Sequence, residues 1–491
     1  MKPRYRLSKS KILSGIQCPK RLWLEVHRPE LAEESAGSIA RMETGTRVGE
    51  LAWNLMPGGR LIELEGGFKT AIEETTDLLG TSDCPPIYEA TLSSDGVLIR
   101  ADLLEKNETG LRLVEVKSST SVKPYYLFDC AIQQWVAERS GYVVESIELA
   151  HIDSSFIYPG DEDYEGLFHL EDISHDVGLL KSKVPEWIPK FTAVLEGEMP
   201  YNEVGSHCRD PYQCPFEDYC SPEDGPEFPL SCLPRARAAL IEDLTSEGIH
   251  DVRDIPEERL TNETHDRVRR VTIKGEPEIL SEFGEYLKSL PYPRYYLDFE
   301  TIQFAVPIWK GTSPYKQLPF QWSCHVEKTE GEIEHEEFLD ISGEAPIRSF
   351  CEALIRTCGE EGPIFVYSPF EKTILNKMIE TYPDIEGDLQ AIIDRLVDLL
   401  PLTRKYYYHP AMKGSWSIKA VLPCVAPDLD YSQLDEVKDG GGAQEAYLEA
   451  IQPDTGEARK EDIRGKMLEY CKLDTLAMVR IVQFFSDQFE K

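Results

Sequence analysis

Apolar and polar residues alternate in short stretches along the chain, and the period of the alternation differs between stretches. Residues 97–117 have the pattern of a strand, a polar turn at 106–110 and a second strand that begins with the apolar run LRLVEV. Residues 127–140 have the spacing of an amphipathic helix, and residues 143–152 that of a further strand. The pattern predicts an α/β fold in this part of the chain.

A second run of elements starts at residue 294. Its predicted order is strand 294–300, strand 320–327, helix 345–358, strand 363–368 and helix 371–380. This order again predicts an α/β unit. The glycine-rich segment DGGGAQEAY at 439–447 is predicted to be the most flexible loop of this unit.

Between the two runs, the Pro- and acid-rich stretch at 221–230 indicates a domain boundary, and the charged residues 233–290 have a helical pattern. A chain of 491 residues is also too long for a single core. We therefore expect three parts: a first domain, a helical connector and a second domain, at 1–225, 226–290 and 291–491.

Residues 1–28 are predicted to be helical, with Ser8 or Ser10 as the cap. The segment is basic, with one acid, Glu25, against Lys2, Arg4, Arg6, Lys9, Lys11, Lys20, Arg21 and Arg28. A second basic segment, RKYYYHPAMKGSWSIK at 404–419, is rich in aromatic residues. Both segments could form the basic, stacking surface that binds single-stranded nucleic acid, or they could be ordinary solvated surface.

The overall charge opposes nucleic-acid binding, because a net charge of −36 repels phosphate at long range. No apolar run approaches the roughly 18 residues needed to span a membrane. The N-terminus also lacks the apolar core of a secretory signal. We expect a cytoplasmic protein with no membrane partner.

Four of the twelve cysteines stand apart from the rest by their spacing. Cys208, Cys214 and Cys220 follow one another with five residues between neighbours, and Cys18 lies far upstream. Three close thiolates and a remote fourth can complete a site for zinc or a [4Fe–4S] cluster. His207 is an alternative fourth ligand, and unrelated core cysteines are the alternative to any site.

Two sets of carboxylates have the spacing of metal sites. In the first set, Asp102 lies on one strand of the predicted hairpin, and Glu115 and Lys117 share a face of the other. Two carboxylates and the Val116 carbonyl suit Mg²⁺ or Mn²⁺, and Lys117 would orient or deprotonate a water or stabilise the transition state. Charged surface hairpins can carry the same pattern without any such function.

Residues 1–225 resemble the PD-(D/E)XK superfamily, and in particular its RecB-like branch of iron–sulfur exonucleases, found among CRISPR adaptation exonucleases and AddB-type helicase–nucleases. The resemblance lies in SKSKILSGIQCPKRLW, the Asp102…Glu115-Val116-Lys117 core, a glutamine in the next helix, and the trailing cysteines. It implies catalysis and metal binding at Asp102, Glu115 and Lys117, with cluster ligation by Cys18, Cys208, Cys214 and Cys220. It also implies a role for Gln133, with Gln134 as a rival. Where the family often has a histidine ligand, this chain offers Glu50, and the cysteine spacing differs from the usual one.

In the second set, Asp298 and Glu300 share one face of a predicted strand, and Tyr470 and Asp474 share one face of a predicted helix. Carboxylates gathered in this way can bind two divalent cations that activate water. Because a tyrosine near its usual pKa is a poor base at neutral pH, Tyr470 is expected to position the water.

Residues 292–490 resemble the DEDDy exonucleases of the DnaQ-like group, which have the ribonuclease-H fold. The resemblance implies 3′→5′ exonuclease chemistry at Asp298, Glu300, Tyr470 and Asp474. The family's middle aspartate is replaced by Glu371 in VYSPFEKTIL, and Asp398 is the alternative. The longer Glu371 leaves open a domain that binds strands without cutting them.

The complete arrangement resembles an uncharacterised bacterial family in which both nuclease modules are fused. We therefore expect a metal-dependent nuclease with two active sites that degrades DNA, preferably single strands or ends, with Mg²⁺ or Mn²⁺ at both sites. A nucleic-acid-binding scaffold with one inactive site and an exoribonuclease are the alternatives.

Overall fold

The strand–turn–strand pattern at 97–117 forms the centre of a mixed sheet in the computed structural model, which describes residues 7–33, 36–221, 225–429, 431, 434 and 436–487. The turn closes where Asn107 N donates to Gly110 O at 2.9 Å. The chain is mixed α/β and divides into two compact units. The first unit comprises residues 1–223 and 304–316, and the second comprises 224–303 and 317–491.

The first unit contains a mixed sheet and the helices that cover it. The strands are β1 (Leu7–Ser8), β2 (Arg60–Leu61), β3 (Ile87–Ser94), β4 (Val97–Lys106), β5 (Leu111–Lys117), β6 (Val144–Ile152) and β7 (Phe168–Asp172). The helices are α1 (Lys9–Gln17), α2 (Pro19–His27), α3 (Ala36–Ala52), α4 (Gly67–Leu79), α5 (Pro124–Arg139), α6 (Ser174–Lys181), α7 (Val184–Glu196) and α8 (Glu217–Cys220).

Its strand order is β2-β3-β4-β5-β6-β7, and β1 pairs with β4. The neighbours β4 and β5 are antiparallel, whereas β5 and β6 are parallel. The core lies between the sheet and helices α1, α5 and α7, which bury Ile12, Ile132 and Phe191. This packing sets α1 and α5 beside the strands that carry Asp102 and Glu115.

The basic N-terminal segment forms two helices, where the sequence pattern predicted one continuous helical stretch. Ser8 caps α1 by accepting a hydrogen bond from Lys11 N at 3.2 Å. Cys18 is extended between the helices because the following proline disfavours helical backbone at the residue before it. The basic residues Lys2, Arg4 and Arg6 lie outside the described part of the chain.

The second unit contains a mixed sheet, a short ribbon and ten helices among its described residues. The strands are β8 (Glu278–Ile279), β9 (Arg294–Ile302), β10 (Leu318–Thr329), β11 (Glu332–Leu339), β12 (Ile364–Val366), β13 (Leu396–Asp398) and β14 (Tyr407–Tyr408). The helices are α9 (Ala238–Ser246), α10 (Glu263–Lys274), α11 (Glu282–Ser289), α12 (Ile347–Cys358), α13 (Phe370–Thr381), α14 (Glu386–Ile393), α15 (Leu399–Tyr406), α16 (Ile418–Val425), α17 (Gly440–Ala450) and α18 (Glu457–Asp487).

The large sheet has the order β11-β10-β9-β12-β13, and β8 pairs with β14 in the ribbon. The long helix α18 packs on β9 and β10. Gln321, on β10, fixes this contact by donating to Met467 O at 2.9 Å. The predicted connector residues 226–290 lie within this unit, where Leu244, Val268 and Phe283 join its core.

Three predictions differ from the structure. Residues 304–316, expected in the second domain, belong to the first unit, because Ala305 joins an apolar cluster with Val48 and Ile152. The expected flexible loop at 439–447 is largely the helix α17, whose N-cap Asp439 accepts from Gly442 N at 2.8 Å.

The third difference concerns the aromatic segment at 404–419, for which the proposed stacking surface is wrong. Tyr407, Tyr408 and Trp416 are buried in the core of the second unit. Trp416 Nε1 also donates to Tyr407 O at 2.7 Å. Tyr407 packs against Phe484 and Phe485 of α18, and Tyr408 packs against Trp416, so these rings are not available to stack on nucleic-acid bases.

Candidate active sites

The first candidate site is built by β4, β5, α1 and α5 of the first unit. Asp102 on β4 accepts a hydrogen bond from Val116 N on β5, with 2.7 Å between Oδ2 and N. Because side chains alternate along a strand, Glu115 and Lys117 project from one face of β5. The ammonium of Lys117 donates to the carboxylate of Glu115 on that face.

Helix α5 brings two further side chains to this face. Asp129 accepts from Lys117 Nζ at 2.9 Å. Gln133, one helical turn later, donates to Glu115 Oε2 at 2.5 Å and to Asp129 Oδ1 at 3.1 Å. Gln133 thus holds the two carboxylates in a fixed arrangement, whereas its rival Gln134 donates to Glu138.

Lys9, on the first turn of α1, adds a second cation to the cluster. Its Nζ lies 3.1 Å from Glu115 Oε1 and 3.0 Å from Asp129 Oδ1. Neither Lys9 nor Asp129 was predicted to belong to this site. One feature of the sequence could have identified Asp129: it lies four residues before Gln133, which places both side chains on one face of the helix. No local spacing could have identified Lys9, because it lies 106 residues from Glu115.

Burial and charge shift the titration of these groups. Burial, together with the charges of Asp102 and Asp129, raises the pKa of Glu115 to about 7. Burial alone would lower the pKa of Lys117, but the surrounding carboxylates outweigh it and hold that pKa well above its usual value. Lys117 therefore stays charged at neutral pH.

One predicted residue of the first site is not gathered with the others. Glu50 lies on α3 with an exposed side chain, and its carboxylate is 3.9 Å from the guanidinium of Arg47. We therefore do not count Glu50 among the residues that the structure brings together. The structure instead supplies Asp129 as the third acid beside Glu115.

The four predicted cysteine ligands surround one small cavity. Cys18, Cys208, Cys214 and Cys220 all line this space of 10 Å³, and all four are free thiols. Leu24 and Phe216 pack around them. The alternative ligand His207 also lines the cavity, with its Nε2 3.7 Å from Cys208 Sγ. Soft sulfur donors from both ends of the first unit thus line one cavity, but no three of them lie within 4.8 Å of one another, as the sulfurs of a mononuclear zinc site would.

The second candidate site is a cluster of acids between β9 and α18. Asp298 and Glu300 lie on one face of β9, and Asp474 faces them from α18. One carboxylate oxygen from each lies within 4.8 Å of the others. Among the described residues, this is the one group of acids, cysteines or histidines whose ligand atoms lie this close together. Its all-oxygen composition suits a hard divalent cation such as Mg²⁺ or Mn²⁺.

The two alternatives for the middle acid have different surroundings. Glu371 is buried in the first turn of α13, where Ser368 Oγ donates to its Oε2 at 3.3 Å. Its charge contributes to the raised pKa values of both Asp298 and Glu300. Asp398 instead caps α15 by accepting from Leu400 N at 2.9 Å. Glu371 is thus electrostatically coupled to the cluster, while Asp398 has a structural partner.

Two tyrosines and a lysine complete the surroundings of Asp474. Tyr431 donates to Asp474 Oδ1 at 2.6 Å, and Tyr470 lies one turn before Asp474 on α18. Lys419 Nζ lies 5.3 Å from the centre of each tyrosine ring and donates to Lys438 O at 2.6 Å. Tyr470 was predicted, whereas Tyr431 and Lys419 were missed because no motif connects them to the acids.

The cluster binds protons more tightly than isolated carboxylic acids do. Burial, followed by the charge of Asp474, raises the pKa of Glu300 to about 8. Burial raises the pKa of Asp474, while the Tyr431 hydrogen bond and the charge of Lys419 oppose the rise. Like charges this close favour either a shared proton or a bound cation.

In sequence, this chain is similar to a domain of unknown function and to uncharacterised proteins. Residues 295–417 match the domain of unknown function DUF2779. The uncharacterized protein MG366 of Mycoplasma genitalium is 23% identical over 234 residues, which is 43% of this chain and 34% of that protein. Its homolog in Mycoplasma pneumoniae is 26% identical over 246 residues, 46% of this chain and 37% of that protein. The chain thus matches about a third of the length of these relatives.

Among solved structures, the crystal structure of SSO0001 aligns with 45% of this chain and 88% of its own, at 15% identity and a TM-score of 0.24. The matched DUF2779 segment contains Asp298, Glu300 and Glu371 but ends before Lys419, Tyr431, Tyr470 and Asp474. Among the described residues, no helix is both long enough and apolar enough to cross a membrane.

Proposed function

We propose that this protein is a metal-dependent nuclease with two active sites. It degrades DNA, with single strands or ends as the preferred substrate, by phosphodiester hydrolysis. The observation that carries the proposal is the convergence of Asp298, Glu300 and Asp474 within 4.8 Å. Buried acids in this arrangement cost free energy unless protons or a cation offset their charge. A divalent cation on such acids is the common device for hydrolysing phosphodiesters.

On this proposal the second unit is a DEDDy-type exonuclease with the ribonuclease-H fold. Asp298, Glu300 and Asp474 would hold the metal, and Glu371 would contribute the middle acid. The cation, when bound, supplies an activated water and offsets charge on the phosphate. Tyr470 orients that water through its hydroxyl. Its pKa is raised by burial and by the charge of Asp474, so it acts as a hydrogen-bond donor and not as a base.

The first unit is proposed to be a PD-(D/E)XK exonuclease domain. Asp102 and Glu115 hold the divalent cation, and Gln133 and Asp129 fix the orientation of Glu115 and Lys117. Because the carboxylates keep Lys117 protonated, its role is to stabilise charge on the scissile phosphate. Cys18, Cys208, Cys214 and Cys220 are proposed to bind a [4Fe–4S] cluster or zinc, which would fix the N-terminal helices to the end of the unit.

A second candidate function is a nucleic-acid-binding scaffold with one inactive site. The ion pairs of Lys9 and Lys117 favour it for the first site, because both cations occupy carboxylate oxygens that a metal would need. Glu371 in place of a shorter aspartate favours it for the second site. An exoribonuclease remains the third candidate, since acid clusters of this kind do not themselves distinguish the sugars.

The decisive experiment follows the degradation of end-labelled single-stranded DNA and matched RNA, with Mg²⁺ or Mn²⁺ and protein purified without oxygen. Lys117→Ala and Asp298→Ala should each remove part of the activity, and the double variant should remove all of it. Asp384→Asn is the matched control, because its exposed side chain only pairs with Arg348. Unchanged activity in the double variant, or none in the wild type, would reject a nuclease built on these sites.

A further inference from the structure

A cavity in the first unit borders the first candidate site. It measures 720 Å³ and is lined by α1, the start of α5 and the loop that carries Cys208. Asp129 lines this cavity and also accepts from Lys117 Nζ at 2.9 Å. A space of this volume accommodates a small organic group the size of a nucleotide.

Tyrosine rings form much of the cavity wall. Tyr125 packs edge-to-face on Tyr126 and on Tyr212, with ring centres 4.6 Å and 5.1 Å apart. Tyr212 is 48% exposed. Edge-to-face packing leaves ring faces available for another planar group, and flat aromatic walls are the surfaces on which single-stranded bases stack.

The charges around the cavity fit a phosphodiester strand next to the site. Lys123 Nζ lies 6.0 Å from the centre of the Tyr125 ring, and Arg21 also lines the cavity. The lining acids are Asp129 and Asp210. Asp129 is neutralised by Lys9 and Lys117, and Asp210 is exposed, so neither presents a buried, uncompensated negative charge to a phosphate.

The wall is also tied to the cysteine-lined cavity. Gln17 Nε2 donates to His207 O at 2.8 Å and to Tyr212 O at 2.7 Å. His207 precedes Cys208, and Gln17 precedes Cys18. The position of Tyr212 therefore depends on the same two segments that bring the cysteines together.

We infer that this cavity binds one unstacked base of a single strand on the exposed ring of Tyr212, which Tyr125 supports edge-to-face, so that the neighbouring phosphate reaches Lys117. The inference rests on the proposed nuclease function and specifies how its first site selects single strands. A duplex keeps its bases stacked on one another and would have to be unpaired before a base could enter. Single strands are thus selected over duplexes by stacking on a tyrosine ring, and such stacking accepts any base.

The test measures binding alone, in buffer without added divalent cation, so that it does not depend on cleavage. The probes are a fluorescein-labelled oligothymidylate, read by anisotropy, and a single strand with one 2-aminopurine, whose fluorescence falls when it stacks. Tyr125→Leu and Tyr212→Leu should each weaken single-strand binding about tenfold and abolish the 2-aminopurine quenching. Tyr125→Phe, which keeps the ring, should bind as the wild type does.

Tyr201→Leu is the control, because this tyrosine is 83% exposed and is not among the residues that line the cavity. Wild-type affinity and quenching in both leucine variants would overturn the inference, as would an equal loss for a blunt duplex. If Tyr125→Leu fails to fold, the half-exposed Tyr212 decides the outcome. Tyrosine-dependent binding without cleavage would reject the nuclease proposal alone, and cleavage without tyrosine dependence would reject the cavity inference alone.

Discussion

The hydroxyl of Tyr431 donates a 2.6 Å hydrogen bond to Oδ1 of Asp474. Asp474 is one of the three acids that converge within 4.8 Å, so one of its oxygens is oriented by a residue 43 positions upstream. The loss of a partner that orients a metal ligand typically costs roughly 10-fold to 100-fold in metal affinity. On the proposed function, Tyr431 therefore belongs to the metal site, although no sequence motif marks it.

Replacing Tyr431 by phenylalanine should weaken Mn²⁺ binding to the second site by about tenfold, because Asp474 loses the donor that fixes its orientation. Titration of the apoprotein with Mn²⁺, followed by electron paramagnetic resonance, measures the effect. Tyr447→Phe is the matched control, since its buried hydroxyl has no hydrogen-bond partner among the residues that the structure describes. Equal affinities in the two variants would show that the Tyr431 hydrogen bond does not serve the metal site.

The acid cluster should make stability depend on both pH and metal. The pKa of Glu300 is raised from 4.5 to about 8, so between these pH values the folded state retains a proton that the unfolded state has lost. Without divalent cations, stability should therefore fall as pH rises from about 5 to about 8. A cation replaces the proton, so Mn²⁺ should raise the melting temperature more at pH 8 than at pH 5.

Thermal unfolding with and without Mn²⁺ at the two pH values measures this linkage. In Glu300→Gln, part of the pH dependence and most of the Mn²⁺ effect should disappear, because the amide neither titrates nor carries the charge. A melting temperature that Mn²⁺ raises equally at both pH values would contradict the expectation.

Lys9 should be important for the stability of the first unit. Its ammonium lies about 3 Å from both Glu115 and Asp129, and its replacement by methionine leaves buried carboxylates with one cation fewer. Removing one partner of a buried ion pair costs about 3 kcal/mol. Urea unfolding of the full chain should show this loss. Lys69→Met, which removes an exposed pair with Glu73, should change the free energy of unfolding by less than about 0.5 kcal/mol.

The cysteine-lined cavity predicts a bound metal or cluster. Protein purified without oxygen should contain iron or zinc by elemental analysis, and Cys214→Ser should lose most of it because one of four thiolates is gone. Iron with visible absorbance indicates a cluster, and zinc without it indicates a mononuclear site. Cys84→Ser, outside the cavity, should keep the wild-type content. If the wild-type protein contains neither iron nor zinc, these cysteines are core residues and not ligands.

Local spacing was enough to predict most elements and several site residues. Glu115 and Lys117 share a face because side chains alternate along a strand. Gln133 was implied only by the family resemblance, which left Gln134 as a rival. The strands β9 and β10 and the helices α12 and α13 lie where the apolar pattern predicted them. These features depend on residues a few positions apart, and such spacing is visible in the sequence.

Other features were decided by long-range packing. The basic segment at 404–419 contains the aromatic residues Tyr407, Tyr408 and Trp416. Tertiary contacts bury these three side chains in the core. The glycine-rich segment at 440–442 became helical because Asp439 caps it, although glycine disfavours helices.

The sequence by itself determined that this is an α/β protein with two sets of acids, because the apolar periods and the short spacings are local properties. Only the tertiary structure decided which groups meet those acids. Lys9 and Asp129 reach Glu115, and Tyr431 and Lys419 reach the Asp474 site, from separate elements. Helix docking on the sheets brings them together, and contacts between distant segments leave no periodic pattern in the chain.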